Sequence, residues 1–312
     1  MDPKTFWVFS GQGAQHPGMG RDLCDAFPTA KRRFDAAAAM LGDEFLAAVF
    51  EGPAAKLTET RFCQPAIYTM SCAVFDLFRE RFPEAGNAVA AAGLSLGEYA
   101  ALYAAGAIDF ETGLRLLRRR AAAMEEACRE FPGGMASVLK ADPETIRAAC
   151  DEAGIDVANY NSPGQIVISG EHAKLAHAIE LLRARGVSRI VELQVAGAFH
   201  SRLMSEAGRR FAPALAEAEI RMPAIPVYHN FTAAPAGSVA EIRELLEKQV
   251  SGSVRWEESL RRAAAQGALN VIEFGPGNVL TGLARRTLPE LKLFNLNTKE
   301  SIDNFNMEDL AR

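Results

Sequence analysis

Paired cysteines are missing from this chain. Its 5 cysteines are odd in number, and Cys24, Cys63, Cys72, Cys128 and Cys150 never form a C-x-x-C pair. That excludes a regular disulfide frame or a zinc ribbon and reads as reduced thiols of a cytoplasmic protein. Long apolar runs are missing too: none approaches the ~20 residues needed to cross a bilayer, so no membrane partner is expected. Met1-Asp2-Pro3-Lys4 has no charged region leading into an apolar one, and no secretory signal is expected there. There is no basic excess, the formal net charge being -5, which argues against a nucleic-acid partner. Repeats and low-complexity linkers are absent as well. The last dozen residues are polar and are expected to fray.

What remains is the balance of a folded globular chain, with 49% hydrophobic and 23% charged residues. A length of 312 residues suits one large α/β domain with a smaller appendage. A buried strand over residues 5–9 runs into the turn Ser10-Gly11-Gln12-Gly13-Ala14-Gln15. Residues 64–81 read as a helix, 88–94 as a second buried strand, 97–105 as a helix, and 110–129 as a longer one. The stripe Leu114, Leu117, Ala121 and Met124 gives that last helix its apolar face. The rhythm then changes. Strands at 135–140, 156–160, 165–169 and 188–195 alternate with helices at 143–153 and 171–185, in the order β-α-β-β-α-β of a ferredoxin-like unit. A helix from His200 onward, then strands at 225–229, 271–274 and 291–295, return to the first pattern. The expected fold is therefore α/β: a large domain with a parallel sheet, residues 1–132 and 198–312, and an inserted ferredoxin-like small α+β domain, residues 133–197.

Gly93-Leu94-Ser95-Leu96-Gly97 is G-x-S-x-G between a predicted strand and a predicted helix. In that context the small flanking residues permit a tight elbow that presents a serine hydroxyl. The helix N-terminus beyond it favours negative charge on a substrate oxygen. A serine nucleophile needs a base, and the chain has 5 histidines. His16 sits in the glycine-rich loop. His172 and His177 read as solvated helix residues, their spacing unsuited to a metal pair, and no metal or other cofactor is expected. His229 reads as a structural residue at a strand end. His200, in Gly197-Ala198-Phe199-His200-Ser201, lies where the insertion returns the chain to the large domain. Such a crossover borders a cleft, which makes His200 the candidate base. Among the arginines following the elbow, Arg119 points away from the apolar stripe. Arg118 and Arg120 flank that stripe, and periodicity does not choose between them.

These segments resemble a known family. Gly11-Gln12-Gly13-Ala14-Gln15, Gly93-Leu94-Ser95-Leu96-Gly97-Glu98-Tyr99, Asn161-Ser162-Pro163-Gly164-Gln165, Ala198-Phe199-His200-Ser201 and Val254-Arg255-Trp256 are similar, in order and over nearly the whole chain, to the malonyl-CoA:acyl-carrier-protein transacylases. The resemblance implies a fold of the same two-part kind, a hydrolase-like large domain with a ferredoxin-like small one. It makes Ser95 the acylated nucleophile and His200 its general base and acid. Gln12 and Leu96 would supply oxyanion-hole N–H groups, and Arg120 would grip the malonyl carboxylate. The main-chain carbonyl of Gln249 would orient the histidine in place of an acid. The implied partners are malonyl-CoA and an acyl carrier protein, met by a monomer. Arg118, Arg119, Arg202 and Arg209 are candidates for a basic rim facing an acidic carrier. Ala198-Phe199-His200 also resembles the malonyl-selecting version of this motif in polyketide acyltransferases. Leu94 stands where the family often has histidine, and Ser10 where it more often has proline. The first departure bears on the fine shape of the pocket and the second on loop stiffness.

Other classes fare worse. A dinucleotide fold would need glycine where His16 stands in the first loop. A serine esterase or thioesterase should place an acid between serine and histidine on the large domain, and here that stretch is mostly the insertion, with Asp156 and Glu192 poorly placed. A trans-acting polyketide acyltransferase remains an alternative role, as does a thioester hydrolase of the same fold. A docking module with a dead site would not need serine, histidine and arginine together.

Overall fold

The computed structural model describes residues 4–310. Five strands, β1 (Thr5–Phe9), β2 (Ala90–Gly93), β7 (Val227–Tyr228), β9 (Asn270–Phe274) and β10 (Lys292–Leu296), form a sheet in the order β10-β9-β1-β2-β7. All its pairings are parallel. Parallel strands need crossover connections, and here these are helices that cover both faces. The alternation along β1 shows it: Trp7 and Phe9 pack into one core with the helix Thr60–Arg81, while Phe6 and Val8 pack into a second with Trp256 and Leu260. The predicted stripe of the helix Phe110–Glu130 is buried throughout. Asp109 caps that helix by accepting the Thr112 N–H at 2.6 Å, one of the donors a helix N-terminus leaves free.

The second sheet contains β3 (Gly133–Leu139), β4 (Asp156–Ser162), β5 (Gln165–Glu171) and β6 (Arg189–Glu192), with helices Pro143–Ala153 and His172–Ala184 on one face. Its order, β6-β3-β5-β4 and then Val254–Arg255 as β8, is antiparallel except at β8. Strand β8 (Val254–Arg255) comes from the segment assigned to the large domain, so the second sheet is not built from 133–197 alone.

Three local expectations are corrected. The helix expected from His200 begins at Ser205, and His200 itself sits in a turn at φ 56°. The strand expected over 225–229 is only Val227–Tyr228, because His229 turns away to bridge Ala234. The chain's end is not frayed through residue 310. A Thr298–Ser301 capping box starts a short helix, and Ile302 and Leu310 are buried in the main core.

Candidate active site

Strand β2 stops at Gly93 and the helix Gly97–Ala104 begins four residues later. A Cβ on Gly93 would lie 2.0 Å from the Gly97 carbonyl, and one on Gly97 would lie 2.3 Å from the Phe9 oxygen. Both contacts are impossible, so the elbow requires glycine at each side. Between them Ser95 takes φ 53°, a conformation that costs a non-glycine residue about 1–3 kcal/mol and turns its hydroxyl out of the sheet.

The residues singled out above converge on that hydroxyl. His200 Nε2 lies 2.8 Å from Ser95 Oγ, and His200 Nδ1 lies 2.8 Å from the Gln249 main-chain oxygen. A carbonyl only accepts, so Nδ1 carries the proton and Nε2 is left to accept from the serine. Burial, and then the Arg120 charge, push the imidazole down to about 4, against opposing backbone hydrogen bonds at Gln249 and Gly252. The ring is thus a neutral acceptor near neutrality.

Periodicity left Arg118 and Arg120 open; the structure buries Arg120, at 1% exposure, and exposes Arg118 and Arg119. Arg120 Nη1 donates to Gln64 Oε1 at 2.9 Å, and Nη2 donates to Gln249 Oε1 and to Ser95 Oγ, each at 3.0 Å. Its Nε, on the same guanidinium edge as Nη2, is buried without an acceptor among the described residues. The backbone N–H groups of Gln12 and Leu96 likewise meet no protein acceptor among the described residues. All of this borders a cavity of about 330 Å³ between the two sheets, lined by Gln12, Ser95, Arg120, Met135, Phe199 and His200 among others.

Sequence reasoning missed the layer beneath. Glu98, fully buried, accepts hydrogen bonds from the Asn230 N–H at 2.8 Å and Gln249 Nε2 at 2.8 Å, and its other oxygen lies 2.7 Å from His229 Nδ1. Gln249 also donates to the Ser95 carbonyl at 3.0 Å, so it acts through its side chain as well as its main chain. A glutamate on the first turn after the elbow was a signal available in the sequence; its partners 131 to 151 positions away were not. The other histidines lie elsewhere: His16, His172 and His177 are exposed. Of the proposed rim, Arg202 is paired with Asp156 at 2.7 Å and Arg209 with Glu206 at 2.5 Å. All 5 cysteines are free. No cluster able to hold a metal occurs among the described residues.

A hydroxyl on a strained elbow, a neutral imidazole against it and two unengaged N–H groups are the equipment of a serine acyl-transfer enzyme. The acyl transferase domain family matches residues 6–306. The malonyl CoA-acyl carrier protein transacylase of Bacillus subtilis is 39% identical over 306 residues, covering 96% of this chain and 95% of that one. The solved malonyl CoA-acyl carrier protein transacylase of Coxiella burnetii superposes with a TM-score of 0.94 at 32% identity, over 100% of this chain and 99% of that one. A malonyl-transacylase solved in complex with a type II PKS acyl-carrier protein (PlMCAT:AntF) gives 0.92 at 36% identity, over 96% and 98%. The chain belongs to the acyl transferase family and, within it, to the malonyl-CoA:acyl-carrier-protein transacylases.

Proposed function

We propose that the protein moves a malonyl group from malonyl-CoA to Ser95 and from Ser95 to the phosphopantetheine thiol of an acyl carrier protein, supplying fatty-acid synthesis. The observation that carries this reading is the buried Arg120 guanidinium, 3.0 Å from the nucleophile. An esterase for neutral acyl groups has no use for a desolvated cation there. A malonyl group carries a carboxylate one methylene from the carbonyl under attack, and the Nε–Nη2 edge of Arg120 suits a bidentate grip on it.

In the first half-reaction Ser95 Oγ bonds to the thioester carbon while its proton passes to His200 Nε2. The oxyanion is received by the Gln12 and Leu96 N–H groups. The C–S bond then breaks, and the departing thiolate takes the proton from His200. In the second half the carrier thiol gives its proton to His200 as its sulfur attacks the malonyl ester; the ester C–Oγ bond then breaks, and the proton returns to Ser95 Oγ. Gln249 holds the imidazole by a neutral carbonyl rather than a carboxylate, and that support for imidazolium is outweighed by burial and the Arg120 charge. No metal or cofactor takes part. The same reading makes the protein a cytoplasmic monomer, with 1–132 and 198–312 as the large domain and 133–197 as the small one. Similarity to a transacylase solved with a polyketide carrier supports a second role, malonyl supply to polyketide assembly by the same chemistry.

Intact mass after mixing with malonyl-CoA tests this. One malonyl adduct is expected, and it should move to added holo-carrier protein faster than it is lost to water. Loss to water at the same rate with and without carrier would make the protein a hydrolase. The pH dependence gives a second check. His200 must be neutral to accept a proton, so kcat/KM for malonyl-CoA should hold its value well below pH 6.5 and fall only as pH approaches about 4. An acid limb centred near the ordinary histidine value of about 6.5 would mean that burial and the Arg120 charge do not depress His200 as the buried site implies.

A further inference from the structure

Strand β7 gives only Val227 and Tyr228 to the sheet, opposite Ala91 and Ala92 of β2. The elbow therefore leaves β2 with no strand residue on its β7 side at Gly93. The side chain of Asn230 takes that place. Its Oδ1 accepts the Ser95 N–H at 2.6 Å, and its Nδ2 donates to the Gly93 carbonyl at 2.7 Å. A carboxamide carries one acceptor and one donor group, so it copies the peptide of a missing strand residue. Asn230 is itself anchored: it is 1% exposed, and its backbone N–H donates to the buried Glu98 carboxylate. It does not line the cavity and so acts on the reaction only through Ser95.

We propose that Asn230 is a positioning residue for the nucleophile: its carboxamide holds the peptide groups on either side of Leu94 in the geometry from which Ser95 Oγ meets His200 and Arg120. The proposal rests on the reading of Ser95 as nucleophile. A left-handed serine persists only where its surroundings over-determine it, and Asn230 supplies two of the restraints. Gln249 supplies a third, at the Ser95 carbonyl. Asn230 also decides which donors serve the oxyanion. With the Ser95 N–H engaged, the Leu96 and Gln12 N–H groups are left for that task.

Asn230→Ala should lower kcat for malonyl transfer roughly ten- to hundredfold through misplacement of the hydroxyl. KM for malonyl-CoA should stay within about twofold, because the Arg120 contacts to Gln64 and Gln249 are untouched. A purely structural role would instead lower the melting temperature and spare kcat of the folded enzyme. Asn230→Asp gives a second readout that survives a failure of the alanine variant to fold. A protonated carboxyl reproduces both hydrogen bonds, whereas an ionised one sets an oxygen against the Gly93 carbonyl. Burial beside Glu98, with His229 the other titratable group there, should hold the new carboxyl protonated into the acid range and above. That variant should be most active at acid pH and lose activity as pH rises, where the wild type does not. An alanine variant with kcat within about twofold of wild type, or an aspartate variant with the wild-type pH profile, would overturn the assignment. A malonyl adduct that survives Ser95→Ala would overturn the nucleophile reading itself, a different result from either.

Discussion

Ser95→Ala should abolish the malonyl adduct and lower transfer by at least about four orders of magnitude. The expectation rests on the lack of a substitute. Cys63, on the helix Thr60–Arg81, is fully buried, and burial pushes its thiol up to about 12. A neutral, enclosed thiol does not attack a thioester at neutral pH. His200 stays in place without the serine, because its Nδ1 bond to the Gln249 carbonyl does not involve Ser95. The variant should therefore fold and still bind malonyl-CoA while forming no covalent species. Intact mass and single-turnover release of coenzyme A check this together; an adduct mapped to any other side chain would sink the assignment.

Arg120→Ala should reverse the acyl preference. Loss of a charge-assisted contact to the malonyl carboxylate costs about 1.5–3 kcal/mol, so kcat/KM for malonyl-CoA should fall roughly tenfold to a hundredfold. Acetyl-CoA, with no carboxylate to place, should be spared or favoured. A second effect separates this from general damage to the site. The Arg120 charge is one of the influences that depress His200. A neighbouring cation disfavours imidazolium, so removing it raises the histidine pKa and moves the acid limb of the rate profile to higher pH. Arg120→Lys keeps the charge but not the planar fork, and should hold the limb in place while losing part of the malonyl preference. Equal loss toward malonyl-CoA and acetyl-CoA in the alanine variant, with an unmoved acid limb, would place carboxylate recognition elsewhere.

The two kinds of information divided along physical lines. The elbow could be read from the chain because its constraint is local: glycines two positions either side of Ser95, between a buried strand and a helix, admit few other structures. The succession of strands and helices along the second sheet's segment could be read from their spacing for the same reason, though not the strand β8 that joins its edge. The choice of Arg120 over Arg118 could not be read from periodicity, since both flank the stripe of one helix; resemblance to the family pointed to Arg120. The buried partners that receive Arg120, Gln64 and Gln249, lie 56 and 129 positions away. The end of β7 was misjudged because an apolar run does not say where its partner strand stops needing it. The buried end of the chain was misjudged because polar composition hides two anchoring residues, Ile302 and Leu310.

The sequence alone thus determined that a serine stands in a strained strand-to-helix turn within an α/β chain, because backbone sterics over five residues dictate it. Position and resemblance named candidates for what that serine faces, and only the tertiary structure shows the contacts themselves. His200, Arg120 and the side-chain amides of Asn230 and Gln249 reach Ser95 from positions 25 to 154 residues away. Hydrogen bonds of that reach depend on how helices and loops pack around the parallel sheet, which no local pattern encodes.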